Sequence, residues 1–348
     1  MKVDRLKVEG GKSGEAPASG PYAPASHRGN HVLVTGGAGF IGSHLVERLL
    51  ADGKRVVVID DCSTGSLDNL SGVRSHPRLT LIVSPVSQCK RLPDLVARAE
   101  SIYHLAAVVG VQLVTQSSLR ALQTNLRETE CLLELAARQG VPFLLTSSSE
   151  VYGRSRKAAF AETDDLVIGP PNLARWSYAC SKLADEFLAL AYAREHGLPV
   201  VIARLFNTVG PRQTGRYGMV LPRFIGAARA GRPLRVFGTG RQTRCFCWIG
   251  DAVEALVQLQ TSPTARGQVF NVGGTEEISI GALARLVMRT LRSQSRLEFV
   301  PYARACGPGF EDMRRRRPVV SKLARTVGFR PRTRLREIIR RTAEAHLS

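Results

Sequence analysis

The sequence predicts an α/β fold, a doubly wound parallel sheet covered on both faces, with a smaller C-terminal lobe. Three observations predict it. Short β-branched runs recur from His31 onward: "HVLVTG", "RVVVID", "LTLIV", "SIYHLAA", "PFLLTSS", "PVVIARLF" and "GQVFNVGG". Between them lie stretches such as "SHLVERLLADG" and "ALQTNLRETECLLELAARQG", whose apolar residues fall three and four apart, so strand and helix alternate. A chain of 348 residues with 44% hydrophobic content can also supply the core of one large unit or two smaller ones.

The elements follow in order. Residues 1 to 29, including "GGKSGEAPASGPYAPASHRGN", are rich in Gly, Pro, Ser and Ala and are expected to form a disordered leader. The "GKS" within it is no phosphate loop, because Leu6 stands where a Walker motif needs glycine and no strand precedes it. Residues 30–205 carry the regular alternation. From 206 to 348 it fades into segments punctuated by Pro and Gly, with one strand near 268–274 expected to return to the main sheet. No internal repeat is visible.

Composition excludes several function classes. No apolar run approaches the roughly 18 residues of a membrane span, and the N-terminus lacks a signal peptide's apolar core. A soluble, cytoplasmic protein is expected. Seven cysteines (Cys62, Cys89, Cys131, Cys180, Cys245, Cys247 and Cys306) show no C-x-x-C spacing, so neither a disulfide framework nor a metal site is expected. The net charge of +20 comes mostly from dispersed arginine, densest in "DMRRRRP" and "GFRPRTRLREIIRR", without aromatic interleaving or a DNA-binding motif. Such a surplus suits solubility and phosphorylated small ligands better than nucleic acid.

The first strand and helix carry a cofactor signal. "HVLVTGGAGFIGSHLVERLL" contains a glycine turn at Gly36, Gly39 and Gly42 that follows a strand and opens an amphipathic helix, and a second strand then ends in Asp60. This is the full context of a Rossmann dinucleotide fingerprint. The glycines let backbone N–H groups approach a pyrophosphate at the helix N-terminus. Asp60 accepts from an adenosine ribose and repels a 2′-phosphate, which favours NAD over NADP.

Further on, "RWSYACSKLADEFLALAYAREHG" reads as a helix that puts Tyr178 and Lys182 on one face, one turn apart. A phenol titrates near 10, and lowering it by about three units requires roughly 4 kcal/mol of preference for phenolate. A neighbouring ammonium and a positive nicotinamide ring would supply it. Tyr178 would then take a hydroxyl proton from a sugar or alcohol, with Ser148 of "TSSSEVYG" hydrogen-bonding the same oxygen.

Together "TGGAGFIG", "HLAA", "SSSEVYG", "YACSK" and "RLFNTVGPR" resemble the extended short-chain dehydrogenase/reductase family of nucleotide-sugar epimerases, dehydratases and decarboxylases, over about residues 31 to 335. The resemblance implies a Rossmann domain holding NAD, a C-terminal lobe for a nucleoside diphosphate sugar, and a homodimer built through the two helices quoted above. It adds Phe40, Ile41 and Ala106 to the cofactor contacts of Gly36, Gly39, Gly42, Asp60, Tyr178 and Lys182. Ser149, Asn207, Arg223, Arg244 and Arg316 become candidates for the sugar and diphosphate. For Arg316 the match is poorer, because relatives often show Asp where this chain has Val319. "IVSPVSQ" also departs from the pattern, since many members have Gly-Asp there to hold adenine.

Glu150 separates the reactions that the resemblance allows. Simple 4-epimerases usually have Ala, Ser or Thr at this position, whereas members resembling "S-E-V-Y-G" go on from a 4-keto intermediate to lose water or CO2. The chemistry at C5 calls for an additional proton-handling or positioning group. Ser149 stands where dTDP-glucose-type dehydratases carry an acid, and "GTGRQTRCFCWIGD" with Arg244 is similar to bacterial decarboxylases. The expected activity is therefore decarboxylation of UDP-glucuronate to UDP-xylose, with a UDP-sugar 4-epimerase or a 4,6-dehydratase as alternatives. A non-catalytic NAD sensor on the same fold is the alternative of another class, which intact Ser148, Tyr178 and Lys182 argue against. Tyr152 is expected as a packing or sugar-ring contact.

Overall fold

The structure, a computed structural model, describes residues 29–109, 117–215, 219–306 and 311–345. The expected leader, apart from Gly29, lies outside the described residues. Six strands follow the β-branched runs: β1 (His31–Thr35), β2 (Val56–Asp60), β3 (Leu79–Val83), β4 (Ala99–His104), β5 (Phe143–Ser148) and β6 (Val200–Leu205). A strand at Gln268–Val272, β11 counting the shorter strands described below, pairs in parallel with β6 and completes a seven-stranded sheet. Its order is β11-β6-β5-β4-β1-β2-β3, with every pairing parallel. The sheet is doubly wound, as the alternation predicts.

Every residue of β1 and β2 is buried, which is why these strands read as continuous apolar runs rather than as alternating ones. Helices cover both faces. On one lie α1 (Phe40–Ala51), which buries Leu45, Val46, Leu49 and Leu50, and α6 (Ile249–Thr261). On the other lie α2 (Leu92–Ala97), α3 (Ser118–Gln139) and α4 (Ser177–His196) around Leu132, Leu133, Phe143 and Ile202. Each such fully buried aliphatic side chain stabilises the fold by about 1.5–3 kcal/mol before entropy is charged against it. β1 sits between β2 and β4, so chain connections leave it in opposite directions and open a crevice at the strands' C-terminal ends.

The remaining elements surround a third core of Leu221, Phe224, Leu283, Val287, Ile338 and Ile339. Its helices are α5 (Val220–Arg229), α7 (Ile280–Thr290) and α10 (Leu335–Glu344), with α8 (Tyr302–Cys306) and α9 (Ser321–Val327) completing the described set. Its strands are short. β7 (Thr208–Val209) pairs with β10 (Cys247–Trp248), β8 (Leu234–Phe237) with β13 (Leu297–Val300), and β9 (Thr243–Cys245) lies between β12 (Glu277–Ser279) and β14 (Arg315–Arg316). Runs of two to four residues leave no periodicity to read, so most of these strands are invisible in the sequence. Cys245 and Cys247 are both buried here, in keeping with a packing role.

Candidate active site

A cleft of about 1070 Å³ opens where β1, β2, β4 and β5 end, and the third core closes its far side. The glycine turn forms one wall. Gly36 has φ +73°, and a Cβ there would lie 2.6 Å from the Ala106 nitrogen; one on Gly42 would lie 2.1 Å from the Gly36 oxygen. Only glycine permits this close approach of loop, strand and helix. Gly39 caps α1 with no side-chain hydrogen bond, leaving first-turn N–H groups for an anion. Gly36, Gly39, Phe40, Ile41, Gly42, Asp60 and Ala106 all line the cleft. The wall is a backbone cradle that fits a dinucleotide.

Asp60 is fixed at the end of β2: its carboxylate accepts from Ala38 N at 2.9 Å and from Cys62 N at 2.8 Å. Burial raises its carboxyl above the usual carboxylate range, and those two N–H bonds offset that rise only in part. Ser84, Pro85 and Val86 of "IVSPVSQ" line the same end. Glu128, from α3, accepts from both the nitrogen and the hydroxyl of Ser87 at 2.7 Å and pins this turn. No local pattern marks Glu128 in the sequence.

Ser148 ends β5, and its hydroxyl accepts from Glu150 N at 3.2 Å while also hydrogen-bonding the Tyr178 phenol. Tyr178 stands in the first turn of α4, and Lys182 lies one turn on. The structure corrects the expected electrostatics. Lys182 Nζ donates to Asp185 Oδ2 at 2.9 Å, and both side chains are buried. Burial, followed by the charges of Glu150 and Asp185, pushes the Tyr178 phenol up, with only the Ser148 hydrogen bond opposing them. The chain's own groups, with Lys182 paired to Asp185, therefore keep Tyr178 protonated at neutral pH.

Glu150 lies in a short 3-10 turn, Ser149–Tyr152, and its side chain is largely shielded from solvent. Arg175, presented by the turn Ala174–Trp176, donates to one carboxylate oxygen at 3.0 Å, and Arg316 on β14 donates to the other. Burial alone would raise this carboxyl, but Arg175, Arg316 and Arg244 hold it at about 2. It is ionised at neutral pH and cannot serve there as a general acid. Arg244 donates to Asp312 at 2.7 Å and to the Met313 carbonyl at 2.8 Å, and Arg175 approaches Asp312 at 3.8 Å. Burial and Arg316 lower Arg244 to about 10, so it stays charged. Three guanidiniums thus meet two carboxylates on the cleft wall.

The other predicted substrate residues also line the cleft, in different ways. Ser149 is buried at its edge. The Asn207 amide donates to the Cys245 carbonyl at 2.8 Å, and its φ of +35° marks a tight turn after β6. Arg223 lies over the Phe237 ring at 4.0 Å and donates to the Arg235 carbonyl. Tyr152 is absent from the cleft wall: it is fully buried, its hydroxyl donating to Asn271 Oδ1 at 2.8 Å and accepting from Arg204 at 3.0 Å, so packing is its role. Sequence reasoning missed Arg175, Asp312 and Asp185. "RWSY" does carry a basic residue just ahead of the tyrosine helix, the one local signal from which Arg175 could have been found.

Comparison with known proteins places these features. Residues 32–273 match the NAD dependent epimerase/dehydratase family. The chain is similar to a UDP-N-acetyl-alpha-D-glucosaminuronate decarboxylase of Bacillus cytotoxicus, 38% identical over 304 residues that cover 86% of this chain and 92% of the relative. It is 37% identical to UDP-glucuronic acid decarboxylase 6 of Arabidopsis thaliana, covering 88% of this chain and 85% of that one. Among solved structures it resembles a mutant UDP-glucuronic acid 4-epimerase from Bacillus cereus in complex with UDP-4-deoxy-4-fluoro-glucuronic acid and NAD, at a TM-score of 0.81 and 28% identity, covering 91% of this chain and 100% of that one.

Proposed function

The chain belongs to the NAD dependent epimerase/dehydratase family, and is thereby an NAD-dependent enzyme, and from that premise we propose that it decarboxylates a UDP-linked uronic acid, UDP-glucuronate first, giving UDP-xylose. The observation that carries this reading is the wall beside Tyr178, where Arg175, Arg244 and Arg316 outnumber Glu150 and Asp312. An anionic sugar substituent balances that surplus; a neutral hydroxymethyl group does not.

In this reading residues 30–205 hold the cofactor and residues 206–348 mainly hold the sugar nucleotide. The glycine turn, Phe40, Ile41, Asp60 and Ala106 bind the dinucleotide; bound NAD supplies hydride acceptance from sugar C4 and its later return. Tyr178 removes the C4 hydroxyl proton, and Lys182 and Ser148 support the resulting charge. The ketone at C4 makes the C6 carboxylate a β-keto acid, whose C5–C6 bond breaks as CO2 leaves and whose electrons pass to the C4 oxygen. Tyr178 and Ser148 stabilise that enolate, C5 takes a proton from water entering the cleft, and Tyr178 returns its own proton to the C4 oxygen when the ketone is reduced. Ionised Glu150 acts by position, keeping Arg175 and Arg316 partly neutralised so that they orient the substrate carboxylate without trapping it. Ser149, Asn207, Arg223 and Arg244 complete the sugar and diphosphate contacts.

The same site is compatible with the N-acetylated uronate, and the Bacillus cytotoxicus relative favours testing it. Purified protein incubated with UDP-glucuronate, UDP-N-acetylglucosaminuronate and UDP-glucose, with product masses recorded, tests the reading. Loss of CO2 from either uronate is expected. Loss of water alone, or altered stereochemistry at unchanged mass, would replace decarboxylation by one of the alternative reactions.

A homodimer belongs to the same proposal. Leu119 on α3 and Phe187 on α4 are 68% and 65% exposed, two large apolar side chains on helices packed side by side. Light scattering on the purified chain checks it, with twice the chain mass expected. No described helix is long and apolar enough to cross a membrane. A cytoplasmic location remains part of the proposal.

A further inference from the structure

Lys182 has a partner that the proposed reaction does not use. Asp185, one turn further along α4, is completely buried and holds Lys182 Nζ at 2.9 Å. Its second oxygen makes no well-aligned hydrogen bond, although the Thr129 hydroxyl of α3 lies against it. Thr129 in turn meets His104 Nε2 at 3.0 Å, and His104 Nδ1 meets Thr35 at 2.7 Å. A chain of hydrogen-bonding groups thus runs under the cleft floor from the tyrosine helix towards the glycine turn. We propose that Asp185 is a positioning residue that tethers the Lys182 ammonium and limits the electrostatic support this ammonium gives Tyr178.

An ammonium paired with a carboxylate at hydrogen-bond distance presents little net charge a turn away, and in a buried site the loss is not made up by solvent. The charges facing Asp185 are Lys182 and Glu186 on its own helix, with Thr129 from α3 and His104 from β4 completing its surroundings. Burial and then Lys182 hold His104 at about 3, so it is neutral and contributes no cation. Facing Tyr178 are Glu150 and Ser148 on the other side. Lys182 is therefore the one nearby cation that Asp185 draws away from the phenol among these groups. With Asp185 replaced by a neutral isostere, Lys182 turns its full charge toward Tyr178 and favours the phenolate.

This inference rests on Tyr178 being the base of the proposed reaction, and its test separates the two. The holoenzyme and its D185N variant are compared in kcat and KM across pH on whichever nucleotide sugar the wild type converts. Ultraviolet difference titration of each protein against its own Y178F derivative reports that phenol without any turnover. The acid limb of kcat in D185N is expected to move down by about one pH unit, making the variant roughly tenfold faster on that limb, with KM for the sugar nucleotide little changed. The phenolate signal should move the same way. If D185N does not fold, D185A carries the same expectation. A limb and phenolate signal that stay in place, or that move upward because Lys182 loses its proton, would overturn the proposal. Should wild type convert no sugar nucleotide, the reaction assignment fails, and the difference titration still decides the role of Asp185.

Discussion

Glu150 and Asp185 flank the same phenol, and their surroundings differ in one respect. Glu150, on the cleft wall, meets Arg175 and Arg316 directly with Arg244 behind them. Asp185, buried beneath the cleft, meets Lys182 alone as a cation. Burial pushes both carboxyls up; three guanidiniums reverse it, holding Glu150 at about 2, whereas one ammonium and a hydroxyl leave Asp185 raised. Burial alone therefore does not decide the state of a carboxyl beside Tyr178. The number of cations in contact does, and positive charge is accordingly dense around Glu150, where an anionic sugar is proposed to sit, and sparse around Asp185.

The two sides make separable predictions, of which the largest concerns the phenol between them. Y178F should lower turnover by about 10³-fold or more, within the range assigned to a positioned acid–base group, while NAD remains bound. Steady-state rates and the NAD content of the purified variant check it. Retained activity would remove Tyr178 as the base.

Next in size is E150Q. Removing one partner from a buried ion cluster costs about 3–5 kcal/mol, because Arg175 and Arg316 lose their counter-charge. Denaturant melts should show that loss at neutral pH, and turnover should fall by about 10²-fold as the arginines trap the substrate carboxylate. The sign with pH distinguishes the two carboxylates. Glu150, depressed in the folded chain, contributes stability that is full above its unfolded value of about 4.3 and is lost as pH falls toward about 2. Asp185, raised in the folded chain, contributes with the opposite slope, its cost relieved as pH falls. E150Q should flatten the acid loss of stability seen in wild type, and D185N should not.

R175K follows. Lysine keeps the charge but lacks the planar fork that reaches Glu150 at 3.0 Å and Asp312 at 3.8 Å. KM for the uronate should rise about tenfold with a smaller change in kcat, since orientation rather than proton transfer is disturbed.

The halves of this comparison were unequally legible in the sequence. The sheet, the glycine turn and the shared face of Tyr178 and Lys182 follow from periods of two to four residues and from turn chemistry, all local. Glu150 stood out because a carboxylate follows a serine-rich strand end. Its partners did not: Arg175 lies 25 residues away and Arg316 lies 166 away, joined only once Val151, Trp176 and Met313 pack into one cluster. Asp185 was hidden differently. It sits in plain view three residues from Lys182, but spacing does not say whether such a carboxylate faces solvent or its neighbour. Tyr152 carried two readings, packing or sugar contact, and only the bonds to Asn271 and Arg204 separate them.

The smallest expected effect sets the baseline for the others. Lys54 and Glu100 form an ion pair 2.5 Å long at the N-terminal ends of β2 and β4, with side chains 41% and 44% exposed. Its contact is shorter than either the Lys182–Asp185 or the Arg175–Glu150 bond, so distance alone would rank it first. Solvent and salt screen it, however, and both side chains lose rotamer freedom to make it. E100Q should therefore change stability by less than about 1 kcal/mol, with that change shrinking further in high salt. Denaturant melts of E100Q and E150Q at low and high salt check the contrast. A loss in E100Q equal to that in E150Q would mean that cation count and burial are not what distinguishes the carboxylates of this chain.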